Sequence, residues 1–213
     1  MNVLSPSPSS RPRAGRPTRE QAQARLAELL DTALDLFLAK GFEQTTVEAV
    51  AAAVGMTKRT VYARFPDKAA LFKAAVRRAI ERTRTSPEAL AALDSGELET
   101  TLVAFAQWRV AHVTKPEGLR LQRILATESY RFPEIFNWSV EDGAGPAIAF
   151  LTGVLRRHTP HVAASEQAAT VFMSMVVGGP VRLIVSGNPL SQSEIDARID
   201  YAVALFLDGV RPR

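Results

Sequence analysis

The chain has 213 residues, of which 46% are apolar and none is cysteine. This indicates a globular protein with its own core, and it excludes disulfides, thiolate metal sites and thiol nucleophiles. The charge is uneven, because residues 1–85 hold 15 Lys or Arg and 8 Asp or Glu, whereas residues 86–213 hold 11 and 14. A basic first part favours a polyanion as its partner.

The first residues contain no apolar segment of the kind that directs secretion, and no apolar run reaches the roughly 18 residues that would span a bilayer. We therefore expect a cytoplasmic protein without a membrane partner.

Residues 1–17 form a Ser/Pro/Arg-rich segment that we expect to be a disordered basic tail, because its prolines cannot occupy a helix interior. Its Gly15-Arg16-Pro17 step resembles the AT-hook type of minor-groove arm, in which Arg16 would enter a narrow groove. The alternative is a solubilising tail that touches phosphates without base preference.

Helical periodicity begins at Thr18, with apolar residues at spacings of three and four up to Leu38. Lys40 followed by Gly41 is typical of a helix end, since glycine readily adopts the left-handed conformation there. A second helix follows, for which Thr45 and Glu48 have the spacing of a capping box. Thr46 is the alternative cap, and the sequence does not choose between the two threonines.

The next short helix is predicted to begin after Thr57 and to run to about Phe65. Two short helices separated by a glycine turn are typical of a helix-turn-helix. Such a unit needs a small residue between the helices, a turn and an apolar plug, which Ala51, Gly55 and Val61 supply in the right order. The second helix can then lie in the major groove of DNA.

Asp67 is a good N-cap for a longer helix that connects this unit to the remainder. Beyond Ser86 nothing reads as a strand. We predict an all-α protein with helices over roughly 97–113, 117–130, 134–142, 146–158, 164–185 and 192–209. The predicted division is a tail (1–17), a DNA-binding domain (18–66), a connecting helix (67–85) and a C-terminal helical domain (86–213).

The stretch from Ala33 to Phe72, ALDLFLAKGFEQTTVEAVAAAVGMTKRTVYARFPDKAALF, resembles the TetR family of transcriptional regulators. The likeness includes the Gly-aromatic step, the double threonine, the helix-turn-helix and the Tyr-x-x-Phe step. It implies that the protein binds double-stranded operator DNA as a homodimer. It also implies a C-terminal domain that takes up a small-molecule effector and then releases the DNA.

The resemblance carries DNA-binding roles to seven positions: Thr46, Thr57, Lys58, Arg59, Thr60, Tyr62 and Lys68. Arg59 departs from the family pattern, which often has a small residue there. Its guanidinium would either make a bidentate contact to guanine or lie along phosphates. Arg64, further along the helix, is either a DNA contact or a solvated surface residue.

Leu119 to His158 looks like the subgroup with an AefR-like C-terminal domain, and the step from Glu128 to Glu134 carries that likeness. In the family the last two long helices pair with their copies. The resemblance therefore implies a four-helix dimer interface, for which the candidates are Phe172, Met175, Ile199, Val203 and Phe206. The alternative is that these residues form only the core of one chain.

Aromatic residues with a few polar groups fit a small-molecule pocket. The candidates are Trp108, His112, Phe136, Trp138 and Met173, and the alternative is that they are plain core. His158 and His161 lack further ligands nearby, so no metal site is predicted. No nucleophile–base set, phosphate loop or cofactor motif is visible, and we predict no enzyme activity and no cofactor.

The leading hypothesis is therefore a dimeric, ligand-responsive repressor that binds a palindromic operator. The alternative is a constitutive or structural DNA-binding protein without a ligand switch. The sequence does not identify the operator or the effector.

Overall fold

The computed structural model describes residues 18–210, in which every regular element is helical. The helices are α1 (Arg19–Gln44), α2 (Val47–Ala53), α3 (Lys58–Tyr62), α4 (Lys68–Arg82), α5 (Pro87–Ala91), α6 (Leu98–Val113), α7 (Pro116–Glu128), α8 (Pro133–Trp138), α9 (Gly145–His158), α10 (Ser165–Val185) and α11 (Gln192–Val210). A π-helical segment, Ser139–Ala144, joins α8 to α9. The all-α prediction is confirmed.

Side-chain caps begin the three helices that follow α1. The side-chain oxygens of Thr46, Thr57 and Asp67 each accept the amide hydrogen three residues later, at 3.1, 3.1 and 2.7 Å. These bonds satisfy amides that have no partner inside the helix. They explain why α2, α3 and α4 begin where the sequence places Thr, Thr and Asp.

The choice between the two adjacent threonines is settled by burial. Thr46 is exposed and caps α2, whereas Thr45 is 1% exposed and its hydroxyl lies 2.8 Å from the carbonyl oxygen of Gly41 and 3.1 Å from that of Leu36. Gly41 has φ of 78°, which breaks the helical path of α1 near its end. Thr45 therefore stabilises this bend at the end of α1 instead of capping the start of α2.

Two differences from the predicted elements lie after the connecting helix. A short helix, α5, begins at Pro87 and is capped by the hydroxyl of Ser86. The segment predicted as one helix over 134–142 is instead α8 followed by the π-helical turn. Proline suits a helix start because it has no amide hydrogen to leave unpaired.

The interior forms two hydrophobic clusters. The first joins α1–α4 to α7 and α8 through Leu121, Ile124, Phe132 and Ile135. The second joins α6, α9, α10 and α11. The predicted division near residue 85 therefore does not separate the two cores, because part of the later sequence packs on the first cluster.

Helix α10 is apolar over most of its length. Its stretch Ser165–Ile184 has the length and the mean hydropathy, 1.3, that would allow a membrane crossing, and only 33% of it is buried. This differs from the expectation that no such run exists. The helix packs against α6, α7, α9 and α11, and Val171 on its outer side is 54% exposed.

Candidate nucleic-acid interface

The angle between α2 and α3 is set by a glycine turn. Gly55 has φ of 62°, and the amide of Met56 donates to the carbonyl of Ala51 at 2.8 Å. Ala51 and Val61 are 2% and 1% exposed, so the two helices touch through a small residue and an apolar plug. The helix-turn-helix predicted from the sequence has this geometry.

The outer face of α3 carries the predicted base-reading residues. Thr57, Lys58, Arg59 and Thr60 are consecutive and exposed, and Val61 turns inward immediately after them. Tyr62 is also exposed, at 38%. One buried residue thus anchors a helix whose first turn is open to a partner.

The two threonines on this face are bonded to each other. Thr57 Oγ1 lies 2.8 Å from Thr60 Oγ1 and also accepts the amide hydrogen of Thr60. The pair holds the first turn of α3 in place. Each hydroxyl keeps further hydrogen-bonding capacity for an external partner.

Lys58 is paired within the chain. Its ammonium forms an ion pair with Glu48 on α2 and lies 5.4 Å from the centre of the Tyr62 ring. The hydrogen bond and the charge of Glu48 raise the pKa of Lys58, and the same hydrogen bond lowers the pKa of Glu48. The pair is exposed and therefore weak, so Lys58 can exchange Glu48 for a phosphate.

Arg59 and Arg64 are exposed and make no ion pair with any residue between 18 and 210. Arg64 lines a groove between the start of α1 and α3, together with Arg25, Thr57 and Thr60. This groove extends the cationic surface beyond α3. The sequence pattern leaves the role of Arg64 open and gives no indication of Arg25, which is distant from α3 in the sequence.

Lys68 has an internal role that the sequence did not indicate. Its Nζ donates to the carbonyls of Phe42 and Glu43 at 2.8 and 3.1 Å, and lies 4.4 Å from the centre of the Phe42 ring. Two of its three N–H groups are thus used to hold the end of α1. The predicted phosphate contact of Lys68 stays a prediction, with one N–H group left to make it. Arg16 lies outside the described residues.

Helix α4 is joined by ion pairs to the elements around it. Asp31 on α1 accepts from Arg78 at 2.9 and 3.3 Å and from Arg82 at 3.1 Å. Burial raises the pKa of Asp31, but the hydrogen bonds and charges of the two arginines outweigh it and lower the pKa overall. On the other side, Arg77 meets Asp142 of the π-helical segment at 3.1 Å.

The Arg-Phe-Pro-Glu step at residues 131–134 contacts the DNA-binding part directly. Arg131 pairs with Glu43, and Glu134 pairs with Lys73 on α4 at 2.6 Å. The Phe132 ring lies 4.9 and 4.8 Å from the rings of Phe42 and Phe72. The alternation of charge and aromatic residue in this step was the available signal that it docks on another element.

The five predicted ligand-binding residues do not share one site. Trp108 stacks on His112 with ring centres 5.2 Å apart, and Trp108 and Met173 belong to the second cluster. Trp138 instead packs on the first cluster, where Arg77 lies over its ring at 5.1 Å. Phe136 is 54% exposed. The five residues are therefore not gathered in one place, because α8 belongs to the first cluster, and their role in ligand binding stays a prediction.

Four of the five predicted dimer residues are buried within the single chain: Phe172, Ile199, Val203 and Phe206, at 0, 1, 2 and 7% exposure. Helices α10 and α11 are apolar on more than one face, and the most apolar stripe faces the core. The outer surface instead carries Val171, Tyr201 and Leu205, exposed by 54, 72 and 53%. Met175 is half-buried and lines a groove with the latter two.

Two family models match the sequence. Residues 29–75 match the model of bacterial regulatory proteins of the tetR family. Residues 100–209, more than half of the chain, match the model described as the C-terminal domain of AefR-like transcriptional repressors. No curated protein matches the sequence.

Solved structures share the fold over nearly the whole chain. A TetR-family regulator from Mesorhizobium loti has a TM-score of 0.71 and 22% identity, over 91% of this chain and 98% of that one. The flavonoid-responsive regulator FrrA has a TM-score of 0.68 and 29% identity, over 90% of this chain and 99% of that one. NalD of Pseudomonas aeruginosa is the secondary repressor of the MexAB-OprM multidrug efflux pump. It has a TM-score of 0.66 and 21% identity, over 92% of this chain and 100% of that one.

Proposed function

Because the chain belongs to the TetR family of transcriptional regulators, we propose that it represses transcription by binding a palindromic operator as a homodimer, and that a small-molecule effector releases the DNA. The single observation that carries the proposal is the exposed first turn of α3, held by Val61 and open at Thr57–Thr60. We propose a cytoplasmic location and assign no catalytic activity, since the family and fold are those of regulators.

On DNA, the outer face of α3 enters the major groove, and Thr57, Arg59 and Thr60 face base edges. Arg59 has a free guanidinium whose fork matches guanine. Lys58, Tyr62 and the cap Thr46 contact phosphates, which fix the register of the protein on the duplex. Arg16 would extend the contact into the minor groove, and Arg25 and Arg64 would add charge beside the helix.

The dimer forms through the outer faces of α10 and α11. Val171, Met175, Tyr201 and Leu205 are the apolar residues available there, and their burial against a second copy supplies the driving force. A two-fold axis between the copies places two α3 helices on successive half-sites, which a palindrome requires. Four of the dimer residues predicted from the sequence are buried beneath this surface: Phe172, Ile199, Val203 and Phe206.

Each predicted range has its own role. Residues 18–66 bind DNA, residues 67–85 form a connecting helix, and residues 86–213 bind the effector and form the dimer. The ion pairs of α4 and the packing of Phe132 transmit a change from the last range to the first. An effector needs only to bind one of two α4 positions better than the other.

Operator binding tests the proposal. The purified protein is titrated with selected DNA in the presence of compounds that bind it, including a flavonoid because FrrA responds to that class. Release by at least one compound supports ligand control. If every bound compound leaves DNA affinity unchanged, the protein is a constitutive DNA-binding protein instead.

A further inference from the structure

Helix α6 contains a cation in its buried face. Arg109 is 8% exposed and lies between Phe105, Ala106, Val110 and Val113, which are all buried. Its Nε is fully buried and has no hydrogen-bond partner in the described chain. No carboxylate between residues 18 and 210 forms an ion pair with it.

This arrangement is costly for the free protein. An arginine keeps its proton in proteins, so the charge cannot be removed by titration. Buried charges are normally paired, because an unpaired ion loses hydration without compensation. Burial lowers the pKa of Arg109. The neighbouring ionisable groups on α6 and beyond, His112 and Lys115, do not offset the charge, since neither is an anion.

Arg109 lies near the place where α6 contacts the residues that follow α4. One turn further along α6, His112 bonds to the carbonyl of Thr83, which directly follows α4. Two residues after Thr83, the hydroxyl of Thr85 is a second buried polar atom without a partner. Trp108 precedes Arg109 in the sequence, and its ring stacks on His112, with its centre 5.9 Å from that of the Phe105 ring.

We infer that Arg109 binds the carboxylate of a hydrophobic organic acid, and that this acid is the effector. The inference rests on the proposed function. A carboxylate supplies one negative charge and two acceptors in the geometry of the guanidinium fork. The apolar residues around Arg109 favour a hydrocarbon or aryl body over a polar one. Binding there changes the surroundings of His112, Thr83 and therefore of α4.

The experiment compares acids with their uncharged amides. Benzoate, 4-phenylbutyrate and octanoate, each beside the corresponding amide, are titrated into the full-length protein by calorimetry and thermal unfolding. The variants are Arg109→Met, which keeps the volume without the charge, and Arg156→Met, which removes an exposed arginine of the same domain. Arg109→Lys keeps the charge without the fork and serves if the methionine variant does not fold.

We expect at least one acid to bind the wild type and Arg156→Met, with its amide at least about tenfold weaker and the Arg109 variants weaker by a similar factor. We also expect Arg109→Met without ligand to be at least as stable as the wild type, because an apolar replacement removes an unpaired charge. If none of the acids binds the wild type, or if the Arg109 variants bind them equally well, the inference is overturned.

An operator-binding arm separates this inference from the proposed function. If an acid binds through Arg109 but leaves DNA affinity unchanged, the carboxylate site stands, while its assignment as the effector site is overturned. If an amide releases DNA and no acid binds, ligand control stands and the carboxylate site is overturned. If an acid binds through Arg109 and releases DNA, both are supported.

Discussion

His112 Nε2 lies 2.9 Å from the carbonyl oxygen of Thr83, so a side chain in the last turn of α6 is bonded to the residue that caps the end of α4. Because a carbonyl only accepts, Nε2 carries the hydrogen and donates it. Burial lowers the pKa of His112, the bond to Thr83 raises it, and the charges of Arg109 and Lys115 lower it again, with a net decrease. The folded protein therefore favours neutral His112.

The free energy of unfolding should consequently decrease as the pH is lowered below 6.5, the ordinary pKa of histidine. In that window the unfolded chain binds a proton that the folded chain does not, so the free energy of unfolding decreases by at most about 1.4 kcal/mol per pH unit. Above pH 6.5 His112 is neutral in both states, and this loss of stability is absent. Denaturant unfolding of the wild type and His112→Gln, which keeps a donor to Thr83, should diverge below 6.5. Parallel curves from pH 5 to 8 would contradict the lowered pKa.

Arg59→Ala should relax the sequence preference at one base position by about 1–3 kcal/mol, because the lost contact is a bidentate one to a base edge. Binding to a matched set of operators, each with one base pair changed, measures this. Arg156→Met serves as a control for loss of charge away from α3. An equal loss on all operators would make Arg59 a phosphate contact.

Glu48→Gln should tighten DNA binding several-fold, since it removes the carboxylate that competes with phosphate for Lys58. Lys58→Ala should weaken binding to all sequences alike. It should also reduce, by about one, the slope of the logarithm of the binding constant against the logarithm of the salt concentration. Titrations at several salt concentrations test both variants. Unchanged affinity of Glu48→Gln would show that Lys58 keeps Glu48 on DNA.

Leu205→Glu should dissociate the dimer without unfolding the chain, because Leu205 is exposed in one copy and a charge buried at the interface is unpaired. We expect the dimer to weaken at least about tenfold, measured by sedimentation. Phe206→Ala is the matched contrast. Phe206 packs on Phe172 with ring centres 4.9 Å apart, so its truncation should cost about 3–5 kcal/mol of folding stability. A Leu205→Glu variant that stays dimeric would move the interface elsewhere.

Local chemistry explains which parts of the fold are predictable from the sequence. Gly55, Thr57 and Asp67 act on neighbouring residues, and helical periodicity depends on short spacings, so the helix-turn-helix and most helix ranges are predictable. The choice of Thr46 over Thr45 depends on the burial of Thr45 against α1, which no local pattern encodes.

Long-range packing explains the differences. The predicted dimer residues are mostly buried within one chain because α10 and α11 are apolar on more than one side, and the packing of α6 and α9 decides which side is covered. The predicted ligand-binding residues lie in two clusters because Phe132 docks on Phe42 and Phe72, which places α8 on the first cluster while Trp108 packs on the second. The burial of Arg109 is not predictable from the sequence, since an arginine in a helix is expected to be exposed until its neighbours are placed.

Selection of bound DNA from a random pool is the most decisive experiment, because an enriched palindrome requires both a base-reading α3 and a two-fold dimer. We predict such a palindrome, with half-site centres about 34–36 Å apart or at a multiple of one helical turn. Enrichment of a single non-repeated site, or no enrichment over the starting pool, would contradict it.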